Sequence, residues 1–202
     1  MSKIKVALLV GHDKDNPGAV NAKFNLREFD VCKKITKIAA SLLSKDRYEL
    51  FVEENLTLFD EKKVLEKFCP DIIIENHMNS SSDVKKMGIM TIYETGYTED
   101  MILANSINDA LAKSLIRPNL GVFTSDQVKE WRDWKTFFLF DEIELKSKLF
   151  NRESLTILTE IDFISNNDIA AMLIIDDEFI KRAALGLTNG LDNYIENLEI
   201  TI

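Results

Sequence analysis

Residues 71–81 read DIIIENHMNSS. The three consecutive isoleucines leave no polar side for water. The segment therefore reads as a strand buried on both faces, the mark of a parallel sheet covered by helices. KIKVALLV (3–10) and SLTILTEI (154–161) have the same character, and RYELFVEE (47–54) and GIMTIYE (88–94) read as two further strands. The segments between them carry apolar residues at helical spacing. In LREFDVCKKITKIAASLLSK (26–45) these are Phe29, Cys32, Ile35, Ile38, Ala39 and Leu42. Asn25 is a candidate N-cap for that helix, with Glu28 three residues on completing a capping-box pattern. FDEKKVLEKF (59–68) is a short helix stopped before Cys69-Pro70. EDMILANSINDALAKSLI (99–116) is amphipathic, and SNNDIAAMLI (165–174), capped by Ser165 or Asn166, precedes a last helix over 177–198.

Strands alternating with helices predict an α/β fold, a mostly parallel central sheet of about six strands with helices on both faces. The chain of 202 residues has no linker and no repeat, so a single domain over 1–202 is expected. The stretch 117–153 is the exception to the pattern. Its aromatic run, Trp131, Trp134, Phe137, Phe138 and Phe140, reads as core.

Charge and apolar patterning exclude several functions. Thirty-four acidic against 25 basic residues give a net charge of −9, and no Lys/Arg cluster supports nucleic-acid binding. No apolar run is long enough to insert across a membrane. The start, MSKIKVALLVGHD, has a short apolar run that ends in Gly-His-Asp, so it reads as a first strand rather than a signal peptide. Cys32 and Cys69 match no metal spacing and are expected as buried free thiols.

The chain has two histidines, His12 and His77, both expected just past strand ends. Such carboxyl ends are where α/β sheets collect functional residues. Two imidazoles and one carboxylate, with a fourth position open to water, make a catalytic zinc set. Glu28 is the candidate carboxylate, since it lies in the first turn of a helix, where the dipole favours an anion. Glu160 ends the apolar strand LTILTE and is the candidate to accept a proton from water. Taken singly, each has a plainer reading. His12 or His77 alone is a hydrogen-bonded loop histidine, Glu28 a capping residue, and Glu160 and Glu75 strand-end carboxylates. Asn79 with Ser80 to Ser82 is then a polar turn.

Four segments stand in a telling order. ALLVGHDKDNPGAV (7–20) is a strand followed by a Gly-His loop that ends in Pro-Gly, and NLREFDV (25–31) brings a glutamate to the start of the first long helix. DIIIENHMNSS ends a strand in His-x-Asn-Ser, with Gly88 soon after, and LTILTEIDFISNNDIAAML (155–173) ends one in Glu before Phe-Ile-Ser-Asn and a helix. Over residues 3–115 and 154–196 the chain resembles the zinc-dependent N-acetylmuramoyl-L-alanine amidases of the amidase type 3 family. The resemblance implies a peptidoglycan hydrolase that cleaves the amide between N-acetylmuramic acid and L-alanine of the stem peptide. It implies Zn2+ held by His12, Glu28 and His77, with Glu160 as general base and Asn79 shaping the loop. It also implies action outside the cytoplasmic membrane. With no signal peptide read here, that fits release from a phage or prophage, or a fragment of an exported protein.

The chain departs from the family pattern at Asp13 and Asp162, where the family has Gly, and at Glu75, where it commonly has Ser. If the strand continues through His77, Glu75 shares its face and is a candidate partner for a ligating imidazole. The segment 117–153 matches poorly and reads as an insertion, a lid or part of a substrate groove. Two other readings stay open. A carboxypeptidase-like zinc enzyme would need a well-placed arginine, from among Arg27, Arg117, Arg132 and Arg152. The other is a binding module that kept the fold without catalysis.

Overall fold

A computed structural model of the chain describes residues 2–53, 58–132 and 154–201. The chain runs β1 (Ile4–Val10), β2 (Val20–Asn21), β3 (Leu26–Arg27), α1 (Glu28–Leu42), β4 (Tyr48–Val52) and α2 (Leu58–Phe68). It continues through β5 (Ile72–Asn79), β6 (Ile89–Tyr93), α3 (Thr98–Leu115), β7 (Asn119–Thr124) and α4 (Ser125–Arg132). It closes with β8 (Leu155–Phe163), α5 (Asn167–Ile175) and α6 (Glu178–Thr201).

Six strands form one sheet in the order β4-β1-β5-β8-β6-β7. β4, β1, β5 and β8 run parallel. β6 is antiparallel to β8 and parallel to β7, so one edge of the mostly parallel sheet is reversed. The isoleucine run explains the central position of β5, because its alternate residues go to opposite cores. Ile72, Ile74 and Met78 pack with residues of α1, α3 and α6, whereas Ile73 packs with Ala7, Leu9, Leu158, Leu65 of α2 and Val128 of α4. No helix among the described residues is long and apolar enough to cross a membrane.

Several local expectations are corrected. β5 does not stop at Asn76 but runs to Asn79, so His77 lies inside the strand, and β8 likewise carries Glu160 within it. The loop after His12 contains the small β2–β3 hairpin. Asn25 takes a left-handed φ of 49° within that hairpin and is not the N-cap. Arg27 occupies the cap position without a side-chain cap bond, and Glu28 is turned to another use. Asn166 does cap α5, accepting from the N–H groups of Asp168 and Ile169. Cys32 is a buried free thiol, while Cys69 is only half-buried. β7 and α4 emerge from the segment with no legible pattern. Residues 133–153, with Trp134, Phe137, Phe138, Phe140 and Arg152, lie outside the described residues.

α3 and α6 pack in backbone contact because Gly186 and Gly190 stand one turn apart on α6. A Cβ on Gly190 would lie 2.6 Å from Ile107 Cα, and one on Gly186 2.9 Å from Leu111 Cα. Ser106 Oγ donates to Gly190 O at 2.7 Å across the same seam. Gly190→Ala is therefore expected to lower the unfolding free energy by about 1–3 kcal/mol through overpacking. Helix propensity alone would instead favour alanine by about 1 kcal/mol. Urea unfolding of the two proteins distinguishes the two effects by sign.

Candidate metal centre

The parallel register determines where the chemistry gathers. Val10 pairs with Asn76 and His77 with Glu160, so the ends of β1, β5 and β8 lie side by side. Gly11 follows Val10 and donates its N–H to Asn76 O at 2.9 Å. Its missing side chain makes room for His77, because a Cβ there would fall 2.4–2.5 Å from three atoms of the imidazole. His12 then turns with a left-handed φ of 69°. That conformation is uncommon for a residue with a side chain and is typical of functional sites.

Glu28 joins the pieces. It is buried in the first turn of α1, with its side chain only 4 % exposed. Oε1 lies 2.9 Å from His77 Nδ1 and accepts the N–H of Met78 at 3.1 Å. Oε2 lies 3.3 Å from His12 Nε2 and accepts the N–H of Ala19 at 2.8 Å. Gly18 leaves space for both groups. A Cβ on it would be 2.3 Å from His12 Cδ2 and 2.4 Å from Glu28 Oε2. The two rings meet edge to face, with centroids 5.0 Å apart. The cluster is closed at Glu28 and open at His12, whose side chain is 36 % exposed.

His12, Glu28 and His77 each offer a ligand atom, and these atoms lie within 4.8 Å of one another. A tetrahedral ion with bonds near 2.0–2.1 Å asks for ligand atoms about 3.3 Å apart. The 3.3 and 2.9 Å separations suit that spacing. Two nitrogens and one carboxylate oxygen also suit a borderline divalent cation. The three residues thus form a site that could hold a metal ion.

Electrostatics agree with this arrangement. Burial disfavours the Glu28 carboxylate charge, yet the imidazoles of His12 and His77 hold it well below the usual carboxylate range. Burial likewise opposes charge on His77, but Glu75 and Glu28 hold it well above the usual imidazole range. The buried Cys32 thiol, one turn along α1 from Glu28, is pushed up by burial and by the charges of Glu28, Glu160 and Glu75. It stays protonated and is neither ligand nor nucleophile.

The three departures from the family pattern have definite contacts. Asp13 closes its own loop, with Oδ1 accepting the N–H groups of Asp15 at 2.7 Å and Asn16 at 2.8 Å. Glu75 Oε1 lies 3.0 Å from His77 Nε2. Asp162 sits where the β5–β8 register slips between His77 and Asn79. It accepts the N–H groups of Gly88 and Phe163, each at 2.9 Å, and Arg117 Nε at 2.9 Å. A bulge frees backbone donors, and the carboxylate takes them up. Asn79 Oδ1 accepts the N–H of Ser80 at 2.7 Å and so starts the serine loop. Sequence reasoning offered Arg117 only as a carboxylate reader. Its partner is Asp162, and Arg27 is held by Asp30 at 2.6 Å.

Residues 6–193 match the family model described as N-acetylmuramoyl-L-alanine amidase. No curated protein sequence matches. Among solved structures, the N-acetylmuramoyl-L-alanine amidase of Clostridium difficile 630 superimposes with a TM-score of 0.78 at 19% identity, covering 96% of this chain and 97% of that one. The catalytic domain of CwlV, the amidase of Bacillus (Paenibacillus) polymyxa, gives 0.75 at 21% identity over 96% and 99%. The catalytic domain of the CD27L endolysin targeting Clostridium difficile gives 0.64 at 17% identity over 94% and 97%. At these identities the superpositions establish the fold.

Two predictions arise here. A ligating imidazole must be neutral, and Glu75 and Glu28 raise the proton affinity of His77 in the metal-free protein. Loading a divalent cation at pH 7 is therefore expected to release a proton, and apparent affinity is expected to fall as pH is lowered. Calorimetric titration with Zn2+ in two buffers of different ionisation enthalpy should give different heats, and equal heats would refute the assignment. The second prediction concerns Asp162, which is fully buried beside an Arg117 side chain that is 15% exposed. Arg117→Ala leaves that carboxylate without its cation and is expected to cost about 3–5 kcal/mol in denaturant unfolding.

Proposed function

The chain belongs to the N-acetylmuramoyl-L-alanine amidase family, and from that premise we propose how its residues carry the reaction. The bond cut joins the lactyl group of N-acetylmuramic acid to L-alanine of the stem peptide. His12, Glu28 and His77 hold Zn2+, and Glu160 moves the proton. The observation that carries this reading is the register of β5 and β8, which sets Glu160 beside His77 on the adjacent strand. Side chains paired across neighbouring parallel strands share a face, which supports Glu160 as the carboxylate that works beside His77.

Zinc, when bound, supplies a Lewis acid that polarises the amide carbonyl and acidifies the attacking water. Glu28 and the two imidazoles would hold it, and the partly exposed His12 would mark the open side of the site. Glu160 accepts a proton as the water oxygen bonds to the carbonyl carbon. It returns that proton to the alanine nitrogen as the C–N bond breaks. The products are a lactyl carboxylate and a free α-amine. The loop opened by Asn79 and Ser80 forms one wall beside the reacting groups.

A carboxypeptidase-like reaction needs a cation to receive a free carboxylate. Of the four candidate arginines, Arg27 and Arg117 are committed to Asp30 and Asp162, which supports the internal amide as substrate as far as the described side chains go; those of Arg132 and Arg152 lie outside them. We take residues 1–202 as one catalytic domain acting outside the cytoplasmic membrane, where peptidoglycan lies.

Glu160→Ala is expected to keep its fold and its bound zinc while turnover falls by about 10²–10⁴-fold. New alanine amino termini released from purified peptidoglycan measure the turnover, and metal analysis of the same sample measures the zinc. Near-normal turnover in a zinc-loaded variant would move the proton transfer to another group.

A further inference from the structure

We propose that Glu75 is a positioning residue that fixes the tautomer of His77, so that Nδ1 is free to ligate a metal ion; the inference rests on the metal-site reading above. Alternation along β5 puts Ile73, Glu75 and His77 on one face. The register then places Glu75 between Leu9 of β1 and Leu158 of β8, both members of the apolar core on that side. A carboxylate in such a row is costly unless it finds a donor. Among the described residues it meets His77 Nε2, 3.0 Å from Glu75 Oε1, with the two side chains only 14% and 13% exposed.

The neutral imidazole carries one N–H. Its two nitrogens face two different carboxylates, Nδ1 toward Glu28 at 2.9 Å and Nε2 toward Glu75. If the proton sat on Nδ1, the nitrogen nearest the metal cluster would have no lone pair to give. Glu75, being an acceptor only, draws the proton to Nε2 and leaves the Nδ1 lone pair directed at the cluster. Gly11 leaves the ring the space it occupies, since a Cβ there would collide with it. The contribution of Glu75 is therefore the choice of proton position and the electron density at Nδ1, beyond the orientation of the ring.

The test uses the full chain as wild type, Glu75→Ala, Glu75→Gln and His77→Ala. Each is measured for Zn2+ affinity by competition with a chromophoric chelator and for metal-free thermal unfolding. Nitrogen-15 spectra of the zinc-loaded proteins report the His77 Nε2–H signal. Glu75→Ala is expected to weaken Zn2+ by about 10–100-fold and to lose the protected Nε2–H resonance. Glu75→Gln keeps an acceptor of the same shape, so it is expected to recover part of both. Equal affinity in wild type and Glu75→Ala, with His77→Ala weakened, overturns the role of Glu75 and leaves the metal site standing. Weaker binding in Glu75→Ala with an unchanged Nε2–H signal also overturns it, because the proton position would not depend on Glu75. A wild type that binds no zinc overturns the metal-site reading and this inference together.

Discussion

The buried carboxylate of Glu28 is the constraint on which the rest of the site depends. Each of its oxygens is used twice, once by an imidazole and once by a backbone N–H. Hydrogen bonds to a charged group contribute about 1.5–3 kcal/mol each, enough together to offset the desolvation of one carboxylate. The N-terminal end of α1 adds a favourable field. Through this side chain the loop after β1, the β2–β3 hairpin and the end of β5 are tied to one helix. The backbone reinforces the tie, since the Glu28 N–H donates to Ala19 O at 2.9 Å.

The sheet supplies the second constraint. Three parallel strands end together, so residues far apart in sequence share one edge: Gly11, His77 and Glu160. Close packing at that edge is possible only because Gly11 and Gly18 lack a Cβ. Just past it the β5–β8 ladder slips, and Asp162 and Arg117 secure the slip against the start of β6. The edge is thus rigid on its β8 side and fixed by Glu28 on its β1 side. The opening at His12 lies between.

The strands β1, β5 and β8 were legible because an apolar run without a polar side has few other uses. The amphipathic helix α3 and the cap at Asn166 were legible for equally local reasons. What stayed hidden was long-range. A glutamate three residues past an asparagine looks the same whether it caps a helix or lines a site. The deciding contact is with His77, 49 residues away. The reversed direction of β6 was equally invisible, since an apolar strand does not encode its orientation. β7 and α4 escaped because their segment mixes aromatic and charged residues without a clear period. The three residues of the candidate metal site stood out as an ordered group of motifs, whereas the partner of Glu75 required knowing that β5 continues through His77.

The departures at Asp13, Glu75 and Asp162 share a physical character. Each puts a carboxylate where the family pattern has a small residue, and each carboxylate faces a nitrogen donor close at hand. For Asp13 and Asp162 the effect is to tie down backbone that a glycine would leave free to move. At Glu75 the effect reaches the site itself. Glu28, Glu75 and Glu160 all act on the thiol of Cys32, so their charges converge on one corner. With neutral imidazoles, three carboxylates against the two positive charges of a divalent cation leave one negative charge in excess. A cation bound at such a site would be held more firmly but would withdraw less electron density from an amide carbonyl, because the ligand field would be richer. On the proposed proton-transfer role, that excess charge shifts more of the work to Glu160, which β8 presents between β5 and β6.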